Sequence, residues 1–573
     1  MEVKKEILFF FFDQVYLISG RLLRTSYSHD SQKSHTTHSL DDTVLVPTML
    51  RWLGLAGVSL AGYYVWSKID FWLRERKFRK LVGTERAPVK AGSFPFGLDI
   101  YSVIMWHFEH QTLPEWARQE YEKHGNTYTV NMLGSTSIAT REPRNIQAVL
   151  TSQFKDFGIG PPRIGSFAPL LGQGIFSIDG RGWEHSRALL RPQFAKDQIT
   201  QLENMEEHIR TMVECIRIQG DGSVIDLQEL FFELTIDSAT HFLFGESCQV
   251  LKHRLNVLRG DIKEAPLGTR FASAFDLAQR HIINRYRLRD YYYMHNPQEF
   301  KDANKTCHDF VDKYVYRAVE MHKRGMNTEP EKAGKKRYVF LDEIAKETQD
   351  PIVLRDALTN ILLAGRDTTA SLLSFVFYLL VRHPEVEQKL RATIKQEFGD
   401  ASDAEILTFH DLKNCKYLRW VIDETLRLYP VVPFNVRAAF EDTTLPLGGG
   451  PDGKSPIFVP KGTAIEYSVY SMHRREDIWG ADANWFRPER WGEPRNKEGF
   501  GNFEFLPFNG GPRICLGQQF ALIEASYAIV RMFQHFNRFE MAEFNPFLKL
   551  NATLTMCVGG KGVLVKCYKD EKA

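Results

Sequence analysis

Three stretches of the chain carry the clearest pattern of apolar and polar positions. "LRDALTNILLAGRDTTASLLSFVFYLLV" (Leu354 to Val381) repeats with a helical period and is apolar on nearly every side past Ala370, as expected of a helix through the middle of a large domain. Gly365-Arg366-Asp367-Thr368-Thr369 interrupts it halfway. Glycine inside a helix costs about 1 kcal/mol relative to alanine and threonine is a poor helix former, so a local distortion around something polar is expected there. "KYLRWVIDETLRLYP" places Leu418, Val421, Ile422, Thr425, Leu426 and Tyr429 on one face and stops before Pro430. Glu424 and Arg427 fall on its polar face; as an exposed pair they would contribute about 0.2–0.5 kcal/mol. "GWEHSRALLRPQF" puts Trp183 and Arg187 one turn apart.

Between 430 and 515 the pattern shortens to strand-like runs such as "SPIFVPKGTAIEYSVY" (Ser455 to Tyr470). "LTMCVGGKGVLVKC" (Leu554 to Cys567) predicts a hairpin turning at Gly559-Gly560. The fold class is mainly α with a minor β part. Near the start, Val44 to Trp66 is apolar apart from Arg51 and long enough, about 35 Å as a helix, to span a bilayer. The basic "RERKFRK" that follows would stay on the cytosolic side. The expected organisation is a polar, disordered extension (1–43, with His29, His35 and His38), a transmembrane helix (44–67), a basic and Pro/Gly-punctuated linker (68–97) and one domain (98–573). "KRGMNTEPEKAGKKR" (Lys323 to Arg337) reads as an exposed loop within that domain.

Composition narrows the function classes. A formal net charge of +2 over 573 residues argues against a dedicated nucleic-acid binder. The seven cysteines are odd in number and contain no CxxC pair, so neither a disulfide framework nor a zinc ribbon is expected. One of them stands out, in "FLPFNGGPRICLGQQFAL" (Phe505 to Leu522). A thiolate serves as nucleophile, redox centre or metal ligand. No local protease signature and no zinc spacing accompany Cys515. Gly510, Gly511 and Gly517 would let the backbone turn tightly and approach a flat cofactor. The apolar run after Gly517 predicts a helix whose first N–H groups favour a negative sulfur. A small cysteine buried in a turn is the alternative.

Phe508-x-x-Gly511-x-Arg513-x-Cys515-x-Gly517 resembles the haem-binding pattern of the cytochromes P-450. Three further patterns of that family occur in order: "AGRDTT" (Ala364 to Thr369), Glu424-x-x-Arg427 and "FRPERW" (Phe486 to Trp491). The resemblance runs from about Leu98 to Lys566. It implies that Cys515 is the axial ligand of haem b. Trp183, Arg187, Arg437 and Arg513 would supply propionate donors, and Phe508 and Gly517 would lie against the cofactor. Glu424, Arg427 and Arg490 would form a buried network behind the cysteine loop. Asp367 and Thr368 resemble the family's acid–alcohol relay, which makes a monooxygenase using O2 and electrons from an NADPH-cytochrome P-450 reductase in the endoplasmic reticulum membrane, the catalytic domain facing the cytosol. Glu184 is acidic where relatives are commonly basic. "FKDFGIGPPRIGSFAPLLGQGIFSIDGRGWEHSRALLRPQFA" is similar to the fungal alkane- and fatty-acid-hydroxylating members, implying hydroxylation of a long-chain apolar substrate at or near its terminal carbon. By family position Asn360, Ile361, Ala364, Val432, Phe434, Asn435 and Leu554 would line the pocket. A secondary-metabolite monooxygenase, a haem-thiolate isomerase or dehydratase, and a haem sensor are the alternatives. Isomerase relatives typically lack the acid–alcohol pair.

Overall fold

One helix organises the rest. Pro351–Leu380 is capped by Asp350, whose carboxylate accepts from the Ile352 and Val353 backbone N–H groups, with proline at the first helical position. The computed structural model to which it belongs describes residues 42–194, 202–261, 264–324, 338–400, 407–493, 503–543 and 547–569; for 42–54, 56, 60 and 203 it describes the backbone alone. The histidines of the polar extension and most of the expected loop at 323–337 lie outside these residues.

The helix stays α-helical through Gly365–Thr369, so the predicted distortion is absent. Burial on every side outweighs the weak local propensity, and the Thr368 hydroxyl donates back to the Ala364 carbonyl at 2.7 Å. Its first half packs into an apolar cluster with helices Leu267–Arg287 and Gln298–Lys323. Its second half joins another cluster with Leu227–Phe244, Lys416–Leu428 and Gln518–His535. The helix therefore lies between two cores, and its polar middle turn sits where they meet.

The β part forms four small sheets among the described residues. In the largest, Ala464–Ser468 lies between Ser135–Thr140, parallel, and Phe434–Ala439, antiparallel. The predicted hairpin at 554–567 is not formed. Met556–Val558 pairs with Leu550–Ala552, whereas Leu564–Tyr568 pairs with Arg538–Met541 and Val224–Asp226. Gly560 and Gly562, at φ 68° and 78°, turn the chain out of one sheet and into another. Likewise "SPIFVPKGTAIEYSVY" divides at Pro460–Gly462 into strands of two different sheets.

The amino-terminal region also departs from expectation. Asp42–Val82 is one helix of 41 residues. Among the described residues no helix is long and apolar enough to cross a membrane. The part of the expected span whose side chains are described begins at Leu55, carries Gly57, Ser59 and Gly62, and meets Lys68 and Asp70 within about four turns. The expected linker at 68–97 packs onto the domain. Phe71 and Phe78 lie tilted against Phe458, Arg74 pairs with Asp442 at 2.8 Å, and Val89–Lys90 adds a strand beside Thr127–Met132.

Candidate active site

Where the two cores meet, a cavity of about 350 Å³ opens between the central helix and the cysteine loop. Of the seven cysteines only Cys515 is exposed, and it faces this cavity. The loop that presents it is shaped by backbone rather than by side chains. Asn509 and Gly511 take positive φ (62° and 68°), and a Cβ on Gly511 would fall 1.8 Å from the Leu150 carbonyl oxygen, so only glycine fits. The Cys515 N–H donates to the Phe508 carbonyl at 3.0 Å and closes the turn. At Gly517 a Cβ would meet nothing closer than Phe194 at 3.7 Å, so protein packing alone does not demand glycine there. The space beside it belongs to the cavity. Surrounding protein raises the Cys515 thiol pKa, and the Gly517 N–H and the Arg187 guanidinium pull it back toward the thiolate.

The cavity brings together most of the sequence-predicted residues. Asp367, Thr368, Trp183, Arg187, Arg437, Phe508, Arg513 and Gly517 all line it with Cys515. Ile361, Ala364, Val432, Phe434 and Leu554 form part of its apolar wall, and Asn435 lines it as well. Asn360 does not. Its amide donates to the Leu171 and Asp356 carbonyls at 2.8 Å and accepts from the Phe176 N–H at 3.1 Å, so its polar atoms brace a neighbouring loop. One position earlier than Ile361 on a helix is a turn of about 100°, enough to aim it elsewhere.

Two residues that sequence reasoning missed complete the picture. Arg163, the single charge in Pro161–Leu171, lines the cavity and donates from Nε to the Phe176 carbonyl at 3.3 Å. The signal was a lone arginine in an apolar segment, which has to face something polar. Among the described residues Arg513 is paired with a carboxylate, Asp179, at 2.6 Å, whereas no ion pair holds Arg163, Arg187 or Arg437. Burial pulls Arg513 down to about 10 and lowers Arg163 and Arg187. Several guanidinium groups converging on one cavity require an anion. A flat macrocycle with two carboxylates and a metal seeking one thiolate meets that need, so the donor set fits haem b.

The second missed residue lies behind the cysteine loop. Glu424, Arg427 and Arg490 are fully buried. Both carboxylate oxygens of Glu424 accept from Arg427 at 2.9 Å, and the Arg490 Nε, the Arg487 N–H and the Trp491 Nε1 add three more bonds. The remaining Arg427 N–H groups reach the His473, Ala483 and Trp485 carbonyls. His473 then carries the connection forward. Burial pulls its pKa down to about 3, so the ring is neutral. Its Nε2 accepts from the Leu506 N–H at 2.9 Å, which leaves Nδ1 as the donor to the Arg427 carbonyl at 3.1 Å. Leu506 opens the segment that ends at Cys515.

On the central helix, burial pushes the Asp367 carboxyl up to about 6, opposed by Arg366 at 3.2 Å. It can therefore hold and release a proton near neutral pH, beside the Thr368 hydroxyl.

A mainly helical domain whose cavity gathers one thiol, a surplus of arginines and the neighbouring Asp367 and Thr368 fits a haem-dependent oxidoreductase. Residues 98–558 match the Cytochrome P450 family, and the chain belongs to it: it is a haem b-dependent monooxygenase. It is similar to Cytochrome P450 monooxygenase g430 of Fusarium sp, 47% identical over 482 residues and 83% of each chain. It is also similar to Cytochrome P450 52A12 of Debaryomyces hansenii, 43% identical over 509 residues (88% of this chain, 96% of the relative). Cytochrome P450 52A1 of Candida tropicalis is 42% identical over 499 residues (85% and 89%).

Proposed function

We propose that Cys515 is the axial thiolate and that the enzyme hydroxylates a long-chain apolar substrate, a fatty acid or n-alkane, at or near its terminal carbon. The observation that carries this reading is the cavity wall above Cys515, built from Phe176, Phe242, Ile361, Ala364, Val432 and Phe434. Such a wall binds by burying methylenes, each contributing about 0.8 kcal/mol, and offers little to orient a polar ring system. The haem, when bound, supplies dioxygen activation at an iron made electron-rich by the thiolate. The chain does the rest. Arg163, Arg187, Arg437 and Arg513 would hold the propionates, Phe508 and the bare backbone at Gly517 would leave room for the macrocycle, and the apolar wall excludes water. Asp367 holds a proton and Thr368 passes it into the cavity. Terminal C–H bonds are stronger than internal ones, so terminal attack requires the wall to admit only the chain end.

Electrons come from an NADPH-cytochrome P450 reductase in the endoplasmic reticulum membrane. The amino-terminal helix anchors the domain there as a single pass, with the domain in the cytosol. Its exposed Leu55, Val58, Tyr63 and Trp66, the apolar sequence upstream of them and the basic residues that follow support this. Incubation with reductase, NADPH, O2 and fatty acids or alkanes of graded length tests the substrate. Affinity should rise with length until the cavity is full, with mass spectrometry placing the hydroxyl at or next to the chain end. Turnover of compact polycyclic substrates alone would remove the lipid assignment.

Thr368→Ala should retain the thiolate-type Soret band while product formation falls on the order of 100-fold and NADPH consumption continues, releasing peroxide. Unchanged coupling of NADPH to product would take Thr368 out of the proton path.

A further inference from the structure

Residues 172–177, Gly-Gln-Gly-Ile-Phe-Ser, join helix Pro161–Leu171 to the segment before helix Gly180–Leu190. Two glycines in six residues would ordinarily leave such a segment loose. Here they serve close approach. A Cβ on Gly172 would fall 2.1 Å from the Asp356 carboxylate, and one on Gly174 would fall 2.1 Å from the Asn360 amide nitrogen. Both side chains project from the central helix one turn apart and take hold of the segment's backbone. The Gln173 N–H donates to Asp356 at 2.8 Å, the Phe176 N–H donates to Asn360 at 3.1 Å, and the Asn360 amide donates to the Leu171 carbonyl at 2.8 Å. Ser177 closes the loop on itself, its hydroxyl donating to the Gly172 carbonyl at 2.6 Å and accepting from the Gly174 N–H.

Asp356 and Asn360 are almost fully buried, in the half of the helix that packs into an apolar cluster. Burying polar groups is unfavourable unless each finds a partner, and an aliphatic residue at either position would serve the core better. Their partners are the loop's backbone, and what the loop carries is Ile175 and Phe176, both in the cavity wall. Ile361 and Ala364, on the same helix within about one turn of Asn360, supply the adjoining wall.

We infer that Asp356 and Asn360 clamp residues 171–177 to the central helix, fixing Ile175 and Phe176 as a rigid wall that decides which carbon of a bound chain reaches the reaction centre. They are positioning residues, and the inference rests on the long-chain reading above. Adjacent carbons of an alkyl chain differ by little more than a bond length, and a misplacement of about 1 Å costs on the order of 100-fold in rate, so a wall free to shift cannot select between them.

The test uses the full-length holoenzyme with its reductase and dodecanoic acid as probe, comparing wild type, Asn360→Ala, Gly174→Ala and Asp356→Asn. Asn360→Ala removes the acceptor for Phe176, and Gly174→Ala forces the loop off the helix from the other side. Both should keep the thiolate-type Soret band, speed amide exchange across 171–177 by roughly tenfold or more, and lower the ratio of terminal to internal product by about fivefold or more. Asp356→Asn keeps an acceptor for Gln173 and should preserve both readings. Unchanged exchange in both clamp variants, or faster exchange with an unchanged product ratio, overturns the inference. If one variant fails to bind haem, the other decides. Wild-type enzyme that hydroxylates no chain would sink the substrate reading instead, and exchange, which needs no substrate, still judges the clamp.

Discussion

Replacing Cys515 by serine should abolish the thiolate-type Soret band of the reduced carbon-monoxide complex and bring product formation to background. The side chain is held by backbone alone. The Cys515 N–H to Phe508 bond and the positive φ at Asn509 and Gly511 do not depend on sulfur, so the loop should fold with serine in place. What disappears is the sulfur ligand. Burial raises the Cys515 thiol pKa, the Gly517 N–H and Arg187 offset this only in part, and a bound metal would take its proton's place. A serine hydroxyl beside the same groups stays neutral. The variant should therefore match wild type by circular dichroism and lose the band and the activity together. A variant that kept an unchanged band would overturn the assignment of Cys515.

Glu424→Ala should have the second largest effect, on assembly rather than on chemistry. The carboxylate is buried with Arg427 and Arg490 and accepts five hydrogen bonds. Removing it leaves Arg427 in the interior without a counter-charge and Arg490 with Asp482 alone. Breaking a buried ion pair from one side costs roughly 3–5 kcal/mol, a large fraction of a domain's net stability. The damage should travel through His473 to Leu506 and the cysteine loop, so haem content should fall with stability. Denaturant titration and the haem-to-protein ratio measure both. Glu424→Gln, which keeps the acceptors' shape and loses the charge, should fall between. Full haem loading and wild-type stability in the alanine variant would show that the network is not what holds the loop.

The sequence alone determined those features whose causes are local. The central helix was legible because an apolar period and a proline start act within a few residues, and it begins three residues before the expected Leu354. The cysteine turn was legible because glycine is favoured where φ is positive and required where backbone also crowds the position, as at Gly511. The Glu424–Arg427 spacing puts both on one helix face whatever surrounds them.

Tertiary structure decided everything that depends on partners far along the chain. Gly365–Thr369 reads as a weak helical turn, yet packing between two cores keeps it helical. The strands of 554–567 look like a hairpin, but each finds its partner elsewhere, because backbone N–H and C=O groups pair with whichever strand the fold brings near. Arg163 joins the cavity and His473 links Arg427 to Leu506 across 46 and 33 residues of chain. Asn360, one position from the cavity wall, turns to a loop nearly two hundred residues earlier in the chain. Period places a side chain on a helix face; only the packed neighbours determine whether that face meets a cavity or a loop that needs its hydrogen bonds.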